Sequence, residues 1–257
     1  MKKYSDIYKE EGLIIKVLND KSFIDDVKKL VKDRFNQSDE YYQSLSREEF
    51  QDIAVNAQDA LNKINIQEKF YNSEEDVFKE IFDKEELLHE SVVFFRAVRP
   101  IRNGVKMEAP DFHRETFYSD HSHTPYCINS WIPIMNVYDK NTLQYYPKSH
   151  LIADEELKVV EDKDAPGKVE KFSSGHKLGF LWKPKKLDDT KHLGKPTKMV
   201  FPENSYSIFS SMLIHGGAKN YSDKIRFAIG FGMIPAKKMT FNKKFFASNG
   251  KPHYVSF

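Results

Sequence analysis

Arg226-Phe-Ala-Ile-Gly-Phe-Gly-Met233 carries one charged residue at its head and only apolar or small residues after it. A run that is apolar on both faces is what a central strand of a covered sheet presents. Residues 224–234 are therefore predicted as a strand. Working outward, 126–137 and 205–214 are rich in aromatic and β-branched residues and are predicted as strands too. So is Ser91-Val-Val-Phe-Phe-Arg-Ala-Val-Arg99, closed by Pro100 and Gly104. Between these runs, 152–200 is an irregular insert full of Lys, Gly, Pro and Asp, and long loops of that kind usually serve function or are disordered.

The chain before residue 91 has a different texture. Phe23, Val27, Leu30 and Val31 form one stripe at helical spacing, and Ser22 with Asp25 and Asp26 marks a helix start. Ser46 and Glu49 form a capping-box pair that opens a second helix through Ile53, Val55 and Leu61. A third helix is predicted across 73–88. Neither Gly nor Pro occurs between Gly12 and Pro100, which supports the helical reading of 1–90. The expected architecture is mainly β with α. A helical part, 1–90, packs outside a β-barrel or jelly-roll core, 91–257, that carries the insert at about 152–200.

Composition narrows the function classes. The 257 residues are 40% hydrophobic and 30% charged, a globular composition. No apolar run approaches the roughly 20 residues of a membrane helix, and no secretory pattern is visible at Met1–Gly12. One cysteine, Cys127, cannot make an internal disulfide or a thiolate metal cage, so a cytoplasmic location is expected. The net charge of +2 is too small by itself to point to nucleic acid, which is not expected as a partner. Residues 1–90 hold 14 basic against 22 acidic side chains, whereas 171–200 hold eight lysines against Asp188 and Asp189. The basic stretch points to an anionic partner or to a solvated surface.

Among nine histidines, His113 stands out, in Asp111-Phe-His113-Arg-Glu115. Two residues apart on a strand, His113 and Glu115 would point to the same face and could share a cation. A third ligand from a distant strand would complete two histidines and one carboxylate around an iron with open positions. His215 is the candidate. It is expected to end an apolar strand and open a Gly-Gly turn, which puts it at a barrel mouth. Arg226, eleven residues on, heads the next strand, and a guanidinium buried there needs a partner. A carboxylate of an anionic cosubstrate, gripped bidentately, would serve; so would a structural Asp or Glu.

Four segments in order now carry a resemblance: His113-Arg-Glu115; Ser130-Trp-Ile-Pro-Ile134; Asn141-Thr-Leu-Gln-Tyr-Tyr-Pro147-Lys-Ser149-His150; and His215 with Asn220, Ser222 and Arg226. Together they resemble the phytanoyl-CoA dioxygenase-like family of iron(II)- and 2-oxoglutarate-dependent oxygenases. The resemblance implies a double-stranded β-helix with helices outside, and a dioxygenase that hydroxylates its substrate and releases succinate and CO2. It also implies His113, Glu115 and His215 as iron ligands and Arg226 as the anchor of the distal carboxylate of 2-oxoglutarate, with Ser222 or Thr116 as helpers. His150 falls on a turn element. Departures from the family pattern are Glu115 for Asp, Asn141-Thr142 for Asn-Gly, Lys148 for Gly, and Gly217 where a Ser is frequent. The retained carboxylate argues against a halogenase.

His121 and His123, in a polar loop, are expected to line the mouth of the site or touch substrate. In the insert, Trp182 and Lys183 belong to a stretch that could cover a phosphate or nucleotide. The expected substrate is a polar, anionic small molecule, with a phosphorylated or nucleotide-activated sugar as the candidate, and dioxygen is the other reactant. Two alternatives stay open: a non-catalytic jelly-roll binding protein, and an iron dioxygenase that does not use 2-oxoglutarate. Nothing in the sequence sets the oligomeric state.

Overall fold

The structure, a computed structural model, describes residues 2–101, 111–118, 122–161, 173–178, 185–217, 219–239 and 251–257. Among these, seven helices precede or interrupt twelve strands. The helices are α1 (Tyr4–Glu11), α2 (Ser22–Arg34), α3 (Asp39–Ser44), α4 (Arg47–Leu61), α5 (Ile66–Ser73), α6 (Glu75–Ile81) and α7 (Ser174–Lys177). The strands are β1 (Leu13–Val17), β2 (Leu87–Glu90), β3 (Phe94–Val98), β4 (Ile128–Met135), β5 (Leu143–Tyr145), β6 (Val159–Glu161), β7 (Lys185–Leu187), β8 (Thr197–Lys198), β9 (Ser205–Ser210), β10 (His215–Gly217), β11 (Arg226–Pro235) and β12 (Tyr254–Ser256).

The large sheet runs β1-β9-β4-β11-β2-β12, all pairs antiparallel. β11 lies at its centre, as its two-sided apolar character predicts. One edge of β11 meets β4; the other is shared between β3 along its first half and β2 along its second. A smaller sheet, β10-β5-β8, faces it. The result is a double-stranded β-helix, or jelly roll, with helices packed outside.

The two faces of the large sheet have different jobs. Phe95, Ile128, Ile132, Phe227, Ile229, Phe231 and Met233 point outward into one core with Phe23, Val27 and Val31 of α2, Phe50, Ala57 and Leu61 of α4, and Phe70 of α5. The opposite face meets the small sheet, where Trp131 and Ala228 pack with Leu13, Leu143, Met199, Phe209 and Leu213. Burying each large apolar side chain contributes about 1.5–3 kcal/mol, so this shared core is what holds the helical layer on the sheet.

α4 starts as predicted. Glu49 N–H donates to Ser46 Oγ at 3.1 Å, and Ser46 N–H donates to Glu49 Oε2 at 2.8 Å. The all-helical reading of 1–90 needs two corrections. Gly12, at φ +68°, ends α1 and turns the chain into β1, which lies along β9. The third helix stops at Ile81 rather than reaching 88, because Asp83 and Lys84 take left-handed backbone that a helix cannot continue. Leu87 and Leu88 then pair with Pro235 and Ile234 as β2. Sheet pairing with β11 outweighs the local helix preference of this Glu- and Leu-rich stretch.

Smaller corrections follow. The strand predicted from Ser91 begins at Phe94. The insert is partly regular: β6 pairs with β7, β8 joins the small sheet, and α7 lies against α4 through Gln58 Nε2, which donates to Lys177 O at 2.8 Å. Among the described residues, no helix is long and apolar enough to cross a membrane.

Candidate functional site

His113 and Glu115 do not share a strand as predicted. His113 forms an isolated bridge with His215, and Glu115 opens a single 3-10 turn, Glu115–Phe117. Likewise His215 does not end a strand before a turn. It begins β10, and the two glycines after it continue the pairing with β5. The three side chains converge all the same, because backbone contacts bring their segments together. His113 N–H donates to His215 O at 2.8 Å, His215 N–H returns to His113 O at 2.9 Å, and Glu115 N–H donates to Ser211 O at 3.0 Å.

The imidazoles are oriented from behind. His113 Nδ1 lies 2.6 Å from Asp111 O, and His215 Nδ1 lies 2.9 Å from Leu213 O. A carbonyl can only accept, so each Nδ1 carries the hydrogen and each Nε2 presents a lone pair. The ligand atoms of His113, Glu115 and His215 lie within 4.8 Å of one another, and His215 Nε2 is 3.8 Å from Glu115 Oε1. Asn129 Nδ2 on β4 donates to Glu115 Oε1 at 3.1 Å. Phe209 closes edge-on against His215 at 4.7 Å, and Tyr118 covers His113 at 4.8 Å.

Burial sets the charges. It lowers His215 to about 4 and His113 well below its ordinary value, the second helped by His215 itself. Both rings are neutral at pH 7, so the 3.8 Å approach to Glu115 is not an ion pair. Burial, and then the charge of Glu90, raises Glu115 to about 7. Two neutral imidazole nitrogens and one buried carboxyl that is costly to ionise alone suit a divalent cation, whose charge offsets that cost, better than they suit each other. At bond lengths of about 2.1 Å, neighbouring ligands sit about 3 Å apart, so the 3.8 Å gap closes with less than 1 Å of movement. The side chain of His215 is 8% exposed and that of Glu115 34%, so the cluster opens on the Glu115 side.

Arg226 heads β11 and is only 2% exposed. One Nη donates to Asn141 O, while Nε has no hydrogen-bond partner among the described residues. Burial, and then the charge of Arg96, lowers the guanidinium to about 10. Ser222 does not point at an open site. Its Oγ donates to Asn220 Oδ1 at 2.7 Å and accepts from Asn141 Nδ2 at 3.1 Å, and Asn141 Nδ2 also reaches Asn220 Oδ1 at 3.1 Å. This network fixes the carbonyl that receives Arg226. Thr116 Oγ1 donates to Asp154 Oδ1 at 3.1 Å, beside Arg114.

Of the predicted substrate contacts, His121, Trp182 and Lys183 lie outside the described residues. His123 is buried, its ring edge-on to Tyr254 at 6.0 Å. His150 is structural, packed on Gly12 with Nε2 3.1 Å from Lys9 O. Three residues at the site were missed by sequence reasoning: Asn129, Glu90 and Arg96. Arg96 had a legible signal, a charge inside an apolar strand, the same one that singled out Arg226. Arg114 was read only as the spacer of the His-x-Glu motif. Fully buried, it grips Ser149 O, Ile152 O and Asp154 and ties the loop after β5 beneath the ligand segment.

Comparison with known proteins follows the same lines. A crystal structure of the epimerase SnoN in complex with Fe3+, alpha ketoglutarate and nogalamycin RO is similar with a TM-score of 0.52 at 11% identity, over 97% of this chain and 93% of that one. A non-heme monooxygenase, ThoJ in complex with Ni, is similar with a TM-score of 0.50 at 12% identity, over 90% and 77%. At such identities the likeness is one of fold. A comparison with curated protein sequences gives no significant match. The family model for phytanoyl-CoA dioxygenase matches residues 15–228, a span that holds all four sequence segments, reaches the start of β11 and contains the His113–Glu115–His215 cluster. The chain therefore belongs to the phytanoyl-CoA dioxygenase family and is an iron(II)- and 2-oxoglutarate-dependent dioxygenase.

Proposed function

We propose that His113, Glu115 and His215 hold the iron, that Arg226 receives the distal carboxylate of 2-oxoglutarate, and that the enzyme hydroxylates a polar, anionic small molecule with release of succinate and CO2. The observation that carries this reading is the orientation of the two imidazoles, both Nδ1 atoms held on backbone carbonyls and both Nε2 lone pairs turned toward Glu115. Iron(II) with 2-oxoglutarate supplies the power to oxidise an unactivated C–H bond with dioxygen.

The chain's own residues do the rest. Asn129 orients the Glu115 carboxylate, which gives up its proton as it takes the cation. Phe209 and Phe117, both buried, keep water from the histidine side. Arg226, orphaned at Nε, offers a fork to a carboxylate in a dry setting where such a contact is strong. Ser222 serves through Asn141, whose carbonyl it helps to hold. Thr116, engaged with Asp154, has no part in this reading.

On the substrate side we place His121, His123, Trp182 and Lys183. The lysine-rich stretch 171–200 supports an anionic substrate, and a phosphorylated or nucleotide-activated sugar fits it. The test is an anaerobic titration of metal-free protein with iron(II) and 2-oxoglutarate, following the visible charge-transfer band of the chelate. The band should form, vanish in His215→Ala and weaken in Arg226→Ala. A folded wild-type protein with no band would overturn the assignment and favour a binding protein or an iron dioxygenase without 2-oxoglutarate.

A further inference from the structure

β3 and β2 share one edge of β11 but leave a break between them. β3 pairs with Arg226 through Gly230, and β2 takes up the edge again at Met233, so Phe231 and Gly232 fall between the two pairings. The carboxylate of Glu90 fills the break. Glu90 Oε2 accepts the Gly232 N–H, and Oε1 lies 3.0 Å from His253 Nε2. The backbone of Glu90 is fixed as well. Its carbonyl accepts from Gln67 Nε2 at 3.1 Å, and Tyr254 of β12 pairs opposite it. A Cβ on Gly232 would come within 3.0 Å of the carboxylate, so the glycine is what lets Glu90 lie this close to the strand.

A second carboxylate is thereby held beside the ligand cluster. Across its other edge Gly232 pairs with Asn129, whose amide holds Glu115. The charge of Glu90 is felt at Glu115, second only to burial. Glu90 is not itself a ligand, because among the described residues the atoms that can share a cation are those of His113, Glu115 and His215. Its side chain is 14% exposed, and a negative charge so placed is costly unless something offsets it. Glu90 and ionised Glu115 stand against Arg96 and Arg226, two charges of each sign linked through Arg96. Iron(II) and the dianion of 2-oxoglutarate also cancel. In a site loaded with both, these charges balance, and without Glu90 a positive charge is left over.

We infer that Glu90, held in the break of the β11 edge, supplies a fixed negative charge to the iron site and strengthens cation binding through space without ligating the cation. This rests on the function proposed above. The charge acts with opposite signs on the two things that bind: it attracts iron(II) and repels the dianion of 2-oxoglutarate. A purely structural role for Glu90, as a support for β11 and Asn129, would move both affinities the same way.

The experiment measures two affinities anaerobically in the full chain. Iron(II) is titrated into metal-free protein in competition with a chromophoric chelator, and 2-oxoglutarate is then titrated at saturating iron(II) by the visible band. Glu90→Gln keeps an oxygen for the Gly232 N–H and removes the charge. It should bind iron(II) about five-fold or more weakly than wild type, and 2-oxoglutarate as tightly as wild type or more tightly. Glu90→Asp keeps the charge and shortens the reach, so it should hold iron(II) within about two-fold of wild type even where its Tm falls. The aspartate variant decides the matter should the glutamine variant not fold. A smaller loss of iron(II) affinity in Glu90→Gln would overturn the inference, as would a fall in both affinities together. So would a Glu90→Asp that loses more iron(II) affinity than stated. A wild type that binds no iron(II) is a separate failure, that of the proposed metal site.

Discussion

His113 and His215, 102 residues apart in sequence, exchange backbone hydrogen bonds in both directions, at 2.8 and 2.9 Å, and their rings stand 4.5 Å apart. This reciprocal bridge ties the ligand segment to β10 before any cation arrives. Metal binding then need not order the backbone, and little conformational entropy is lost at that step.

The metal-free cluster predicts an acid-sensitive apo-protein. In the folded chain His215 is lowered to about 4 and His113 well below 6.5, while Glu115 is raised to about 7. Between pH ~6.5 and ~4.5 the unfolded chain therefore holds two imidazole protons where the folded chain holds one carboxyl proton. The unfolded state binds more protons, so this cluster's contribution to stability falls as pH falls, by roughly 1.4 kcal/mol per unit. Glu115→Gln removes the opposing proton and should steepen the slope toward twice that value. His215→Ala should bring it close to flat. Urea midpoints of chelator-treated protein across this range measure it, and identical slopes in all three proteins would refute the account.

Lys148 stands at φ +60°, where a left-handed backbone costs a side-chain-bearing residue on the order of 1 kcal/mol. Its ammonium reaches only the exposed Glu11, at 3.8 Å. Lys148→Gly should stabilise the protein by about 0.5–1 kcal/mol, because the relief of strain exceeds the entropy cost of glycine in the unfolded chain. Thermal melting checks it; a lowered Tm would show that the lysine contributes more than its position costs.

Asn220 is fully buried and spends its amide on four partners: Nδ2 donates to Val98 O and Lys224 O at 2.8 Å each, and Oδ1 accepts from Ser222 and Asn141. Asn220→Ala should cost about 2–4 kcal/mol through the orphaned carbonyls. It should also weaken 2-oxoglutarate binding, because the Asn141 carbonyl that receives Arg226 is freed to move. Denaturant unfolding and chelate titration on the same variant separate the two effects.

Cys127 lies buried against the hydroxyl of Tyr254, 3.3 Å away, and burial raises its thiol to about 12. At pH 8 the thiolate is a minute fraction, and a disulfide reagent should label the native protein at the rate of unfolding rather than of chemistry. Rapid labelling without denaturant would contradict the burial of this side chain.

Much of the fold was legible in sequence because its signals are local. The two-sided apolar run of β11 marks a central strand, and the Ser46–Glu49 pair marks a helix start; each is set within a few residues. Where the reading failed, a distant partner decided. Leu87–Glu90 has the composition of a helix end, yet the open edge of β11 makes it a strand. β1 follows α1 because β9 offers it five paired residues.

The site divides the same way. Sequence by itself determined which residue types are present and in what order: His113, Glu115, His215 and Arg226, with the segments that identify the family. It could not say how they meet, and the expected His-x-Glu strand does not exist. Only the tertiary structure decided that a bridge between two remote histidines sets the ligand geometry. The same holds for Asn129 on Glu115, for the network of Asn141, Asn220 and Ser222 beneath Arg226, and for Arg96 opposite Ala228. Hydrogen bonds and charge interactions act over a few ångströms of space, whatever the separation along the chain, so a linear pattern carries the parts of this site and folding alone carries their arrangement.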